Sequence, residues 1–189
     1  MDRVAGPEPT AARERLPGPA RSVLGELVRA AAVGAASGGR STAGVTALAL
    51  TSSVADLGPA ARLGAPAGRF VTCLLACGEA VADTLPATPS RTGAPGLVPR
   101  VALAPAAATA VALRDGRVPG PGVAAEAQVA AGAALAAAFA GAHGRAALSR
   151  RLGSDLPGAL AEDALVGVLA WYGTRRRAAF GDGAAGRAR

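Results

Sequence analysis

The chain has 189 residues and a formal net charge of +7, with 20 positive side chains that are all arginine. Hydrophobic residues make up 51% and aromatic ones only 3%, so alanine must fill volume that a soluble core gives to large side chains. The lack of lysine excludes a GxxxxGK[ST] phosphate loop and Schiff-base chemistry. One His and two Cys exclude a zinc centre built from those two residue types alone.

Residues 1–21 mix Pro, Gly, Arg and Glu and read as a disordered tail. Residues 22–174 read as one helical domain, and 175–189 as a basic tail. Within the domain the apolar segments are 23–37, 41–57, 66–85, 97–113, 123–143 and 157–173. Alternation is absent and alanine is poor in strands, so helix is expected throughout. Turn chemistry separates the segments, among it Gly38-Gly39, Gly58-Pro59, Asp115-Gly116 and Gly153 to Asp155. The first two segments resemble a helical hairpin or a broken helix. Only 66–85, 123–143 and 157–173 approach the roughly 17–20 residues that a membrane span needs. Pro105 is expected to kink the segment 97–113.

Asp155 is expected to cap the last helix with Pro157 in its first turn. Cys73 and Cys77 share one helix face and are expected to be small buried side chains. Gly34 and Gly38 fit a close helix crossing. His143 reads as a lone histidine at a helix end. Trp171-Tyr172 followed by Arg175-Arg176-Arg177 is how a span commonly ends on its cytoplasmic side. Arginines ahead of the first segment give the same sign, so both termini are expected in the cytoplasm, with an even number of spans.

The residues with chemistry lie in Gly78-Glu79-Ala80-Val81-Ala82-Asp83-Thr84-Leu85-Pro86, continuing to Pro89-Ser90-Arg91. Glu79 and Asp83 are four apart, hence on one helix face. Two carboxylates so close in a poorly hydrated place are expected to share a proton or a cation, with Arg40 and Arg91 as counter-charges. The other reading places both at the interface as anchors. Glu162 and Asp163 are adjacent, about 100° apart on a helix, so at most one points straight into a bundle.

The run from Gly78 to Arg91 resembles the signature of a family of small bacterial integral membrane proteins known only as a domain of unknown function. Gly38-Gly39-Arg40-Ser41, His143-Gly144-Arg145 and Leu156-Pro157 leading to Glu162-Asp163-Ala164 agree with it in order. Thr84 departs from the pattern, where a lysine is expected. The resemblance implies a membrane protein and brings no activity with it.

The sequence therefore points to an all-α fold, a multi-pass helical membrane bundle with some short or broken helices and a weak internal repeat. The repeat would pair Arg40 with the Glu79 segment and Arg145 with the Glu162 segment. The expected role is binding or passage of a small ion or solute at Arg40, Glu79, Asp83, Arg91, Glu162 and Asp163. The expected partner is the lipid bilayer of a bacterial inner membrane, and a homo-oligomer is compatible with this. No HExxH or GxSxG motif suggests an enzyme, and no cofactor, metal or nucleic acid is expected. Two alternatives stand beside it: a structural or assembly membrane protein without transport, and a soluble, basic, alanine-rich helical protein.

Overall fold

A computed structural model describes residues 22–83 and 93–176. The expected N-terminal tail, Arg91 and the chain beyond Arg176 lie outside them. The described residues form seven helices and no strand: α1 (Val23–Gly39), α2 (Ala43–Thr51), α3 (Pro59–Gly64), α4 (Pro66–Ala82), α5 (Ala94–Arg114), α6 (Pro121–Leu152) and α7 (Leu156–Thr174). The all-helical expectation holds.

Local chemistry sets the helix ends. Ser22 Oγ accepts from the Gly25 N–H at 3.2 Å and caps α1. Proline stands in the first turn of α3, α4, α5, α6 and α7, where its missing N–H costs nothing. Gly153, at φ 67°, ends α6 in the left-handed region. α5 carries Pro99 and Pro105 inside one continuous helix. One boundary differs from expectation: α6 continues past His143 for nine more residues. Ala146, Ala147 and Leu148 propagate that helix beyond Gly144 more strongly than one glycine weakens it.

The long helices alternate in direction between two polar ends. At one end Arg29 of α1 meets Asp115 and the Arg175 carbonyl, while Arg114 meets Thr51, Ser52 and the Thr174 carbonyl. At the other end Arg40 meets Asp163, Glu79 meets Ser41 and Thr42, and Arg145 meets Glu162. α1 thus starts, and α7 stops, at the same end. α1 and α2 form the expected hairpin. The two ends are about 16 Å apart along α1, counted from Arg29 to Arg40, and about 21 Å along α5, from Arg100 to Arg114.

The space between the ends is filled by small side chains. Ala30, Val33, Leu48, Ala104, Ala107, Ala108, Ala130 and Ala134 make the main core. Gly34 and Gly38 lie against the Ala130 and Ala134 carbonyls of α6, so a Cβ at either would overlap backbone. The small-residue crossing expected at this pair is therefore the α1–α6 contact. Larger apolar side chains point outward, among them Phe70, Leu74, Leu75, Leu160, Leu165, Val168 and Trp171. Charged residues do the reverse: Glu26, Arg29, Arg100, Arg114 and Glu126 are all under one-tenth exposed. Cys73 is half-buried and Cys77 exposed, which corrects the expectation of buried thiols. Both belong to the outward apolar face of α4.

Two helices, α5 and α6, are long and apolar enough to cross a membrane by length and composition, each with a mean hydropathy of 1.5 over its best 18-residue window. Segment 66–85 falls short because α4 has 17 residues. α7 has the length, at 19 residues, but Glu162 and Asp163 lower its hydropathy.

Candidate functional site

Arg40 ends α1 in an extended conformation (φ −134°, ψ 122°), and its backbone N–H still bonds the Ala36 carbonyl. The chain then reverses through Ser41 and Thr42 into α2. This turn exposes four donors: the N–H groups of Ser41 and Thr42, which the first turn of a helix leaves without intrahelical acceptors, and their two hydroxyls.

Glu79, near the last turn of α4, takes all four. Its Oε1 accepts from Ser41 N at 2.6 Å and Ser41 Oγ at 2.8 Å. Its Oε2 accepts from Thr42 N at 3.0 Å and Thr42 Oγ1 at 2.7 Å. The carboxylate thus caps α2 from another helix, where the helix dipole also favours negative charge. Arg100 Nη2 is 3.7 Å from Glu79 Oε1. Arg100 itself is buried and donates to the Gly38 carbonyl at 3.0 Å and the Gly96 carbonyl at 2.5 Å. It therefore ties α5 to the end of α1.

Arg40 is the junction of the site. Nε and Nη2 grip the two oxygens of Asp163 on α7, each at 2.8 Å. Nη1 lies 3.7 Å from Asp83 Oδ2, at the end of α4. That nitrogen is buried and makes no hydrogen bond. Glu162 turns the other way, toward α6: Arg145 Nη1 is 3.4 Å from its Oε2, and a Cβ on Gly141 would stand 2.9 Å from its Oε1. Glu162 and Asp163 thus serve different neighbours, as their 100° offset requires.

Five of the six site residues read from the sequence come together here: Arg40, Glu79, Asp83, Glu162 and Asp163. Arg91 lies outside the described residues. Arg40 stands as the expected counter-charge beside Asp83, while Glu79 serves the α2 turn. Asp155 stands at the N-cap position of α7 without a capping bond, because Arg145 Nη2 holds its carboxylate at 2.9 Å. Arg145 faces Glu162 and Arg40 faces Asp83 of the Glu79 segment, while Arg100 lies beside Glu79 itself. His143 is exposed and its Nδ1 is 2.7 Å from the Phe139 carbonyl.

Sequence reasoning missed Arg100, and the polar end formed by Glu26, Arg29, Asp115 and Glu126. The available signal was the one charged residue, Arg100, inside the segment 97–113. Among the described residues no group of three or more His, Cys, Asp or Glu side chains is placed to hold a metal ion. Comparison with known proteins gives no match to a family model, a curated protein or a solved structure.

Proposed function

We propose that this chain is a multi-pass membrane protein that binds or passes a small ion or solute at the Arg40 junction. The observation that carries the membrane reading is the inverted distribution of side chains. Arginines and glutamates are buried at the two polar ends with mainly alanine between them, while many large apolar side chains, Leu74, Leu75, Phe70, Val168 and Trp171 among them, are exposed. In water this arrangement would leave large apolar surfaces hydrated; in lipid it satisfies both faces. Intramembrane charges face a partner or a cavity, and here each described buried arginine has one.

The two polar ends, roughly 16–21 Å apart, are closer than the ~30 Å hydrocarbon thickness. At least one of them then lies below the membrane surface, which supports a polar site rather than two interfacial belts. The other end carries exposed Trp171 with the Arg175 guanidinium 5.1 Å from its ring centre and 5.0 Å from that of Tyr172. That trio is the arrangement expected at a headgroup layer, so this end is assigned to the cytoplasm of a bacterial inner membrane. The resemblance to small bacterial membrane proteins belongs to the same reading.

Arg40 supports solute binding because it bridges two helices through two carboxylates and keeps one buried N–H donor unused. A solute with an acceptor group can occupy that donor. A second reading rests on Glu79, whose carboxylate is saturated by four donors: the cluster holds helices together and nothing passes.

Alkaline carbonate washing of membranes tests the first step. Retention until detergent is added is expected; release into the wash would overturn the membrane reading. Abundance of the Arg40→Gln variant then separates the two roles. A solute site predicts normal membrane levels with altered ion or solute flux in liposomes. A scaffold predicts loss of the protein.

A further inference from the structure

The second polar end holds a small cavity between α1, α5 and α6, lined by Glu26, Arg29, Val33, Val111, Ala112 and Glu126 among others. Its volume of about 10 Å³ is near the least that houses one water molecule. Arg29 has side-chain exposure of only 5%. Its Nη1 donates to Asp115 at 2.7 Å and its Nη2 to the Arg175 carbonyl at 3.2 Å. Its Nε is buried with no partner. Glu26 and Glu126 stand in the same lining. Arg117, more exposed than either, reaches Glu126 directly and lies 3.5 Å from Glu26 Oε2. Gly122 makes room for that guanidinium, since a Cβ there would sit 3.0 Å from Arg117 Nη2.

We infer that this cavity is a site for one bound water molecule, held between Arg29 Nε and the two glutamates. The occupant must accept one hydrogen bond, from Arg29, and donate to carboxylate oxygens. A bare cation cannot accept the Arg29 N–H, and an anion would face two carboxylates. A group that both accepts and donates, in a space of this size, is water. The water completes the hydrogen bonding of a buried guanidinium and makes this end of the α1–α5–α6 interior hydrated rather than dry. The inference needs no membrane and stands apart from the Arg40 junction.

Paired substitutions at Ala112, which lines the cavity, test it, because threonine and valine have nearly the same size and differ in one hydroxyl. In a hydrated polar site the threonine hydroxyl replaces the water, while valine expels it and leaves Arg29 Nε unpaired. The full-length Ala112→Thr variant is then expected to melt about 3–8 °C above Ala112→Val, the shift given by one buried unpaired donor in a chain of this size. Equal melting, or a higher value for valine, would overturn the site. Should both variants fail to fold, an experimental map of the wild-type chain that resolves ordered solvent decides. A peak within hydrogen-bonding distance of Arg29 Nε is expected, and an empty cavity would overturn the inference.

Discussion

Replacing Glu79 by glutamine keeps its shape and removes its charge, which isolates what the carboxylate does at the α2 turn. The amide has one oxygen and one NH₂ where the carboxylate has two acceptors. Whichever way it is oriented, its NH₂ meets one backbone N–H, of Ser41 or of Thr42, that cannot turn away. The hydroxyl beside it can rotate and accept instead. One charge-assisted bond is therefore lost outright, and the others become neutral. Hydrogen bonds to charged groups contribute about 1.5–3 kcal/mol each, so the variant should lose roughly 2–4 kcal/mol. Arg100, 3.7 Å away and buried, also loses its nearest carboxylate, which adds to the loss rather than offsetting it. Unfolding of the purified chain can be followed through Trp171, the single tryptophan. At about 2–4 °C per kcal/mol for a chain of this length, a fall of roughly 5–15 °C is expected. A change below about 1 °C would refute the assignment of Glu79 as the clamp on α2.

Asp56, in the loop after α2, gives a pH dependence. Burial works to raise its pKa, but the Ser53 N–H and the Arg176 guanidinium together hold it below the ordinary aspartate value of 3.8. A depressed value stabilises the fold above the ordinary pKa and loses that effect as pH falls through the folded value. Asp56→Asn should therefore be less stable than wild type at pH 6 and converge with it in acid below the ordinary value; parallel acid-unfolding curves would contradict this. Gly34→Ala should destabilise by about 1–3 kcal/mol through overlap with α6 backbone, whereas Gly144→Ala, with open space around it, should gain up to about 1 kcal/mol from helix propensity. Denaturant midpoints of the two variants moving in the same direction would contradict the α1–α6 crossing. In liposomes, Trp171 fluorescence should be quenched more by bromines placed near the headgroups than by bromines deep in the acyl chains; the opposite order would remove its assignment to the interface.

Much of the fold was legible in the sequence because its signals are local. Alanine-rich segments broken by Gly, Pro and Asp specify helices and their ends through propensity and backbone freedom, and neither needs a distant partner. Glu79, Asp83, Glu162 and Asp163 stood out for a similar reason, since a charge among alanines needs solvation or a partner wherever it lies. Partnership is another matter. That Glu79 caps the α2 turn, that Arg40 chooses Asp163, and that Arg145 draws Asp155 away from capping depend on contacts spanning 38, 123 and 10 residues. Spacing along one helix cannot order such choices. The tertiary structure also decided which faces turn outward: the segments of α6 and α7 carry little one-sided patterning, so their burial follows from which neighbours pack against them. Helix identity is written locally and read locally; the charge network exists only once six antiparallel helices bring their ends together.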